Sequence, residues 1–174
     1  MQQRPCVRPS SRQTERVHMT SDLPCLQPRG TLRIGSWSEV GTAAGAVRTA
    51  VFVHEQGIPA ELEWDEYDDV SVHVVLFTPD QSPVATARLL PSQAGVSLIG
   101  RVAVLNSLRG QLAGVAVMRA LLQEAQRRGD HCVKLHSQHA AQGFYARLGF
   151  VVEGEPFDEV GIAHVTMALN LSQT

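Results

Sequence analysis

The sequence predicts an α+β domain built around one mixed sheet, and three observations lead to that class. Short stretches rich in apolar and β-branched residues alternate with amphipathic helical stretches. A turn containing Pro79, Asp80 and Pro83 joins two of the strands as a hairpin. A helix predicted over residues 113–128 separates two apolar strands, and such a crossover places the flanking strands in parallel. We therefore expect antiparallel strands first, with a switch to parallel pairing near Val104 and Leu135.

The first half of the domain begins with a strand and a helix. Residues 32–37 alternate between apolar and polar side chains as a strand, and Ser38 is placed to cap the following helix. Gly57 is expected to end this helix. Four residues at helical spacing define its predicted buried face: Val47, Ala50, Val51 and His54. An acidic loop, ELEWDEYDD, follows over residues 61–69, and its two aromatic side chains favour a pocket wall over a merely solvated loop.

The second half supplies the remaining strands and the crossover. A three-stranded meander is predicted over residues 72–77, 84–90 and 97–105. After the helix at 113–128, which ends at Gly129, the pattern predicts a strand at 132–136, a short helix at 140–148, and strands at 150–153 and 163–169. The element order is therefore strand, helix, three strands, helix, strand, helix and two strands.

The composition limits which binding partners and which cellular compartment are expected. The chain of 174 residues has a net charge of -2 and three cysteines without a CxxC spacing. These features predict no nucleic-acid partner, no metal site and a reducing, cytoplasmic location. There is no apolar run of about 18 residues, so no membrane span is expected. Residues 1–30 hold five arginines and two acidic residues and are predicted to be a disordered basic tail ahead of one domain over residues 31–174.

A glycine-containing loop at residues 109–114 opens directly into the crossover helix. Such a loop leaves backbone N–H groups at the positive end of a helix dipole, which suits a phosphate group. The run GRVAVLNSLRGQLAGVAVMRALLQEAQRRG therefore predicts a site for a phosphate-bearing ligand.

Two stretches carry a resemblance to a known family. The run RVAVLNSLRGQLAGVAVMRALLQEAQRRG and the later LHSQHAAQGFYARLGF resemble the two central motifs of the GNAT superfamily of N-acetyltransferases. The resemblance covers about residues 31–170 and implies the acyl-CoA N-acyltransferase fold, with acetyl-CoA as co-substrate and no metal. It further implies direct attack by a primary amine in a ternary complex, without a covalent enzyme intermediate.

The family's loop pattern is Gln or Arg, two residues, Gly, one residue, and Gly or Ala. It fits in two registers, and the apolar spacing of the helix favours the one that starts at Arg109 over the one that starts at Gln111. In the favoured register Leu112 stands where the family has glycine, so its Cβ is expected to hinder close approach of a pyrophosphate. The resemblance implies these cofactor-binding residues: Val102, Ala103, Val104, Arg109, Gly110, Gln111, Leu112, Ala113, Gly114, Gln138 and Tyr145.

The catalytic groups are also implied by the resemblance. Tyr145 matches the tyrosine that in many members protonates the departing sulfur, although an ordinary core tyrosine is the alternative. The backbone N–H of Val104 is the expected oxyanion donor. Glu55 and His164 are slightly favoured as the base, and a water chain without a single base stays open. The other candidate bases are Glu63, Asp65, Glu66 and His136.

The first half carries a second resemblance. Arg48, Phe52, the motif ExDxYD at residues 63–68 and ARLLP at 87–91 look like the pattern of acyl-homoserine-lactone synthases, while HEQGIP also occurs in uncharacterised bacterial acetyltransferases. The implied substrate-binding residues are Arg48, Glu63, Asp65, Tyr67 and Arg88. A structural salt-bridge network is the equal alternative.

The predicted acceptor is a small-molecule or peptide amine, and the acidic loop suits a cationic one. A lactone synthase and a non-catalytic acyl-CoA-sensing module remain alternative functions. Apolar edge strands near the C-terminus are compatible with a homodimer.

Overall fold

The structure, a computed structural model, describes residues 30–171. The strands are β1 (Thr31–Gly35), β2 (Val72–Phe77), β3 (Pro83–Leu89), β4 (Val96–Val104), β5 (Cys132–Gln138), β6 (Val151–Glu159) and β7 (Ile162–Asn170). The α-helices are α1 (Trp37–Arg48), α2 (Ala60–Glu63), α3 (Tyr67–Val70), α4 (Ala113–Arg127) and α5 (Gln142–Arg147). A π-helix (Thr49–Glu55) continues α1, and 3-10 turns span Asn106–Leu108 and His139–Ala141. Apart from Gly30, the predicted basic tail lies outside the described residues.

One seven-stranded mixed sheet has the order β1-β2-β3-β4-β5-β7-β6, which confirms the predicted fold class. β1 to β4 pair antiparallel, and β4 pairs with β5 in parallel across the α4 crossover. The parallel ladder runs only from the Val96–Cys132 pair to the Ile99–Leu135 pair. Beyond it the two strands continue without pairing, so a cleft opens between the ends of β4 and β5.

A bulge in β4 accompanies this divergence. The register between β3 and β4 shifts between Thr86 and Arg88, and Arg101 takes a φ of 52° in the left-handed region. A bulge bends its strand and increases the local twist, which turns the end of β4 away from β5. The predicted switch to parallel pairing is therefore present. The bulge leaves the end of β4 unpaired on the side of β5.

The sheet is covered on both faces because alternate β2 residues point to opposite sides. Val74 and Leu76 pack in the main core with α4, whereas Val75 and Phe77 pack against the α1 residues Val40 and Ala44. On α4 the buried residues recur at helical spacing: Val117, Met118, Leu121 and Ala125. The two helices thus fix the sheet from either side.

The beginning and end of the first helix differ from the prediction. Ser36, not Ser38, is the N-cap, and its N–H donates to Glu39 Oε2 (2.8 Å). The π-helix then changes the angular spacing of side chains, so that Val47 and Val51 are buried but His54 is exposed. The predicted acidic loop likewise contains α2 and α3. A search for apolar residues at the 3.6-residue spacing of an α-helix cannot detect a π-helix, whose turns are wider.

Candidate active site

A cavity of about 410 Å³ lies where β4 and β5 diverge. Gly100, Arg101 and Val102 of β4 form one wall, and His136 and Gln138 of β5 form the other. The predicted site residues in its lining are Val102, Gln138, Tyr145, His164, Glu63, Asp65, Tyr67 and Arg88. The others lie outside that lining: Ala103 and Val104 on β4, residues 109–114 in the loop, Glu55 and Arg48.

The loop before α4 is held in a backbone conformation that favours glycine. Gly110 has a φ of 77° and Leu112 a φ of 65°. Leu112 is the N-cap of α4 and is 40% exposed. A left-handed conformation costs an L-residue about 1–2 kcal/mol. Leu112 therefore adopts the glycine-like conformation at the position where the resemblance expects glycine.

The start of α4 lies close to the end of β4 and to α5. A Cβ on Gly114 would lie 3.1 Å from Phe144 Cζ and 3.5 Å from Val104 Cγ2. The small residue thus lets the first turn of α4 approach both neighbours. That first turn has N–H groups without an intrahelical acceptor, so donors remain for an anionic ligand beside the open strand.

The backbone of Val104 faces away from β3. The next residue, Leu105, donates its N–H to Val84 O (3.0 Å) on the β3 side. Because backbone groups of successive residues in a strand point to opposite edges, the N–H and C=O of Val104 point toward the open edge. Arg109 Nε donates to that carbonyl (3.1 Å), which agrees with this orientation.

Arg109 and Glu55 form a two-pronged ion pair at the loop. Arg109 Nη1 donates to Glu55 Oε1 (2.6 Å), and Nη2 donates to Oε2 (2.8 Å). The hydrogen bonds from Arg109 hold the pKa of Glu55 below its ordinary value. Glu55 is therefore a weak proton acceptor, and it neutralises a cation of the predicted phosphate loop.

Tyr145 lies on α5 and is 8% exposed. Its ring makes edge contacts with Phe144 (5.0 Å between centroids) and Phe150 (6.1 Å). Burial raises the pKa of Tyr145 to about 12, so the hydroxyl keeps its proton at neutral pH. Because the residue also lines the cavity, it combines a packing role with a position beside the cleft.

Three arginines and three carboxylates form an ion-pair network in which all but Arg101 and Asp65 are buried. The network consists of Arg48, Arg88, Arg101, Glu63, Asp65 and Asp68. Arg48 binds Glu63 Oε1 through Nε (2.5 Å) and Asp68 Oδ1 through Nη1 (2.7 Å). Arg88 shares Asp68 (2.7 Å) and binds both oxygens of Asp65 (2.6 and 2.7 Å). The network ties α1 to the acidic segment and to the sheet.

Charges within this arginine–carboxylate network balance one another. Burial opposes ionisation of Asp68, but hydrogen bonds from Arg48 and Arg88 outweigh it and lower its pKa. Hydrogen bonds from Arg88 lower the pKa of Asp65, whereas burial raises the pKa of Glu63. Arg101 makes the longest contacts, 3.2 Å to Asp65 Oδ2 and 3.4 Å to Glu63 Oε1, and it lines the cavity.

Two tryptophans flank the Arg48 guanidinium. Its central carbon lies 4.7 Å from the ring centroid of Trp64 and 5.3 Å from that of Trp37. Arg48 is 1% exposed and has no place in the cavity lining. Its contacts are those of the structural alternative, in which the network joins the first helix to the sheet.

The β6–β7 hairpin brings a carboxylate to two histidines. Glu159 Oε2 lies 3.9 Å from His136 Nδ1 and 3.9 Å from His164 Nε2. His164 Nδ1 is 2.8 Å from the carbonyl oxygen of Ile162. The ring of Phe157 stacks on His164 (6.0 Å between centroids) and meets His136 edge-on (5.0 Å).

Sequence reasoning missed three residues of the cavity. Arg101 is read as an ordinary strand residue, and only the β4 bulge brings it into the lining. Gln56 accepts a hydrogen bond from Gln138 Nε2 (3.0 Å) and so links the end of the π-helix to β5. Glu159 reaches the histidines through a hairpin, and no local motif signals this. Of these three residues, only Glu159 could have been identified as a candidate site residue from its residue type, because a carboxylate can bind an amine.

Two classes of site are not found in the described part of the chain. Residues 30–171 contain no group of three or more His, Cys, Asp or Glu side chains that could hold a metal ion. Within the same range, every helix is too short or too polar to cross a membrane.

Comparison with known proteins decides the family. A family model described as an acetyltransferase (GNAT) domain matches residues 38–171. The chain belongs to the GNAT acetyltransferase family. It is accordingly an acyltransferase enzyme of a family that uses acyl-CoA.

Relatives of this GNAT protein include sequences and solved structures. The uncharacterized N-acetyltransferase YjcF of Bacillus subtilis is 35% identical over 122 residues, which cover 70% of this chain and 86% of the relative. The crystal structure of an acyl-CoA N-acyltransferase from Pseudomonas aeruginosa has a TM-score of 0.71 at 32% identity and covers 80% of this chain and 98% of that one. Escherichia coli ElaA gives a TM-score of 0.70 at 32% identity, with the same 80% and 98% coverage.

A more distant structure shares only the fold. The CoA-dependent acyl-homoserine lactone synthase BjaI, solved with SAM and isopentyl-CoA, has a TM-score of 0.69 at 16% identity and covers 83% of this chain and 84% of that one. This GNAT protein and the synthase thus have a common architecture, which leaves their reactions to be compared by experiment.

Proposed function

We propose that this GNAT protein is a cytoplasmic N-acetyltransferase that moves the acetyl group of acetyl-CoA to a primary amine. The acceptor attacks the thioester directly in a ternary complex. The observation that carries the proposal is the cleft between β4 and β5, with the glycine-like loop before α4 at one end and Tyr145 beside it. Together they offer an anion site, an open strand edge and a proton donor.

Acetyl-CoA fits the residues around this cleft. The proposed pantetheine contacts are the backbone of β4 at Val102, Ala103 and Val104 and the side-chain amide of Gln138, because an open strand edge can pair with an extended amide chain. The proposed phosphate contacts are the loop residues Arg109, Gly110, Gln111, Leu112, Ala113 and Gly114. Gln138 would exchange its hydrogen bond to Gln56 for one to the ligand.

The chemical step needs a neutral amine, an oxyanion donor and a proton for the leaving sulfur. The amine nitrogen bonds to the acetyl carbonyl carbon, and the C–S bond breaks as the tetrahedral intermediate collapses. The Val104 N–H, which points toward the open edge, is the proposed oxyanion donor. Tyr145 gives its proton to the sulfur, and the phenolate regains one from the nitrogen.

We assign the base to His164. It lines the cavity, and its Nδ1 contact with the carbonyl of Ile162 leaves Nε2 as the lone-pair nitrogen of the neutral ring. Glu55, the other favoured candidate, is held as a carboxylate by Arg109 away from the cavity lining. Glu55 is therefore proposed to position Arg109 and its loop.

The acceptor is proposed to bind between the hairpin and the acidic segment. Glu63, Asp65, Tyr67 and Arg88 all line the cavity and supply this wall. Arg48 supports it from behind by binding Glu63 and Asp68. The acceptor is a small-molecule or peptide amine.

A screen for thiol release tests this function. Purified protein is mixed with acetyl-CoA and with polyamines, amino acids, aminoglycosides and peptides in turn, and free coenzyme A is measured with a thiol reagent. Release that depends on an amine, with an acetylated product in the mass spectrum, supports the proposal. Calorimetric binding of acetyl-CoA without release for any amine would instead indicate the acyl-CoA-sensing module.

The BjaI likeness motivates one further arm of the screen. S-adenosylmethionine is supplied with acyl carrier protein or acyl-CoA, and the products are analysed for homoserine lactone by mass spectrometry. Lactone without amine acetylation would replace the acetyltransferase by the synthase alternative.

A homodimer is proposed through the outer edge strand β6. Val151 and Val152 on this strand are 69% and 49% exposed, so one edge of the sheet presents apolar side chains. Sedimentation velocity on the wild type and on Val151→Lys tests the assignment. A monomeric wild type contradicts it.

A further inference from the structure

The acidic segment does not supply free negative charge to the cavity for a cationic acceptor. Of its six carboxylates, only Glu63 and Asp65 line the cavity. These two and Asp68 are each bound to at least one arginine at 2.5–2.7 Å. With three arginines against three carboxylates, the network is neutral overall. Recognition of a cation in this cavity therefore needs a carboxylate elsewhere.

Glu159 is that carboxylate. The ion pairs that the structure shows for it are the two 3.9 Å contacts with His136 and His164. Both distances exceed hydrogen-bond length, so the Glu159 carboxylate lies beside both histidines without a hydrogen bond to either. All three line the cavity, and each comes from a different strand: β5, β6 and β7.

The position of Glu159 is fixed by its turn. The two residues after it, Val160 and Gly161, have φ values of 54° and 73°, as in the tight turns of hairpins. Asp158 Oδ1 accepts a hydrogen bond from the Gly161 N–H (2.9 Å) and closes this turn. Glu159 is consequently held at the cavity edge by backbone geometry.

His164 presents a lone pair on the side of Glu159. His164 Nδ1 must carry a proton to bond with the carbonyl of Ile162, so the Nε2 of the neutral ring is an acceptor. Burial lowers the pKa of His136, which favours its neutral form. A carboxylate oxygen beside an imidazole acceptor matches a group with several N–H donors.

We propose that Glu159, His136 and His164 form an ammonium-binding site, with Glu159 as its specificity-determining residue, and that the acceptor is an alkylamine that arrives as a cation. The inference rests on the proposed acetyltransferase function and names its substrate class. One ammonium proton passes to His164 Nε2, and the neutral amine then attacks the thioester. Glu159 binds the charge before that transfer and stabilises the imidazolium after it.

Calorimetry on the protein saturated with coenzyme A tests the site. The probes are spermidine, cadaverine and tyramine, each compared with an analogue in which hydroxyl replaces the amine. At least one amine is expected to bind the wild type, and Glu159→Gln should weaken it about tenfold or more, as for a lost hydrogen bond to a charged group. The hydroxyl analogues should bind both proteins equally weakly.

Glu155→Gln is the matched control, because Glu155 is exposed on the same strand and lies outside the cavity lining. It should retain wild-type affinity for every probe. Failure of all three amines to bind the wild type, or equal binding by Glu159→Gln, overturns the inference.

Turnover separates this inference from the proposed function. If amines bind in a Glu159-dependent way but no thiol is released, the acetyltransferase function fails and the ammonium site stands. If transfer occurs with an acceptor KM that Glu159→Gln leaves unchanged, the ammonium site fails and the function stands.

Discussion

Arg109 and Glu55 bind each other through two parallel hydrogen bonds of 2.6 and 2.8 Å, although 54 positions separate them in the chain. The sequence assigns one to the coenzyme A loop and the other to catalysis. Their pairing places Glu55 at the loop, where it cancels the charge of the guanidinium.

Glu55→Gln is therefore expected to preserve kcat and to lower the KM for acetyl-CoA. The substitution leaves a net positive charge beside the proposed phosphate loop, which favours a polyanionic ligand. Because the pair is exposed, the change in KM should be roughly two- to fivefold and should shrink at high salt. Steady-state kinetics at low and high salt measure it, and a loss of kcat with a changed pH profile would restore Glu55 as the base.

Tyr145→Phe is expected to reduce kcat by about 10²-fold while the KM for acetyl-CoA stays within about twofold, since only a proton donor is lost. The ring contacts with Phe144 and Phe150 do not need the hydroxyl. Thermal unfolding of the variant should match the wild type and so control for packing. An unchanged kcat would reduce Tyr145 to a core residue.

His164→Gln tests the base through turnover. If His164 Nε2 takes the proton of the amine, kcat should fall about 10²-fold in the variant, whereas the KM for acetyl-CoA should stay within about twofold. Steady-state kinetics with a thiol reagent measure both constants. An unchanged kcat would favour the water chain.

Leu112→Gly is expected to tighten acetyl-CoA binding. Glycine tolerates the φ of 65° and removes the Cβ that would hinder a phosphate at the proposed site. Leu112→Ala is the matched control because it keeps the Cβ and the strain. Calorimetry should rank affinity as Gly above Ala, and weaker binding by the glycine variant would show that the loop register is wrong.

Arg48→Leu should destabilise the fold by about 3–5 kcal/mol, because it leaves Glu63 and Asp68 buried without their shared partner. Urea unfolding followed by circular dichroism measures the loss. The control, Arg127→Leu, removes an exposed pair with Glu124 and should leave the unfolding free energy unchanged within error. A small loss for Arg48→Leu would show that the network contributes little to stability.

His73 should make stability fall as the medium becomes acidic. Burial lowers its pKa, so between about pH 6.5 and more acidic values the unfolded chain takes up a proton that the native state excludes. Stability is therefore kept above the ordinary histidine pKa and lost below it. His73→Gln should flatten the decline in melting temperature, whereas the exposed His54→Gln should keep it. Burial also lowers the pKa of His136, so the melting temperature of His73→Gln should still decline slightly as the pH falls.

Local pattern was enough for most of the fold. The strand predicted at residues 72–77 coincides with β2, and the helix predicted from residue 113 begins there as α4. Alternating apolar residues in a strand and apolar residues at helical spacing show which face is buried. Both patterns can be recognised within one short segment. The crossover rule then gave the switch from antiparallel to parallel pairing.

Two backbone features could not be predicted from local sequence patterns, because contacts with other segments of the fold impose them. The π-helix at Thr49–Glu55 and the left-handed Leu112 both contradict the preferences of their own residues. In the site, the sequence supplied Tyr145, Gln138 and His164 as cavity residues. It could not show that Asp65 is bound by Arg88, because that contact spans 23 positions.

The sequence by itself determined the α+β class, the crossover and the residue types of a GNAT cleft, since these follow from short-range periodicity and contiguous motifs. Only the tertiary structure decided which charges remain available. It paired Arg109 with Glu55, bound three carboxylates of the acidic segment to three arginines, and brought Glu159 to two histidines on neighbouring strands. These ion pairs join residues that are far apart in the chain and close together in space. They are therefore decided only when the sheet assembles.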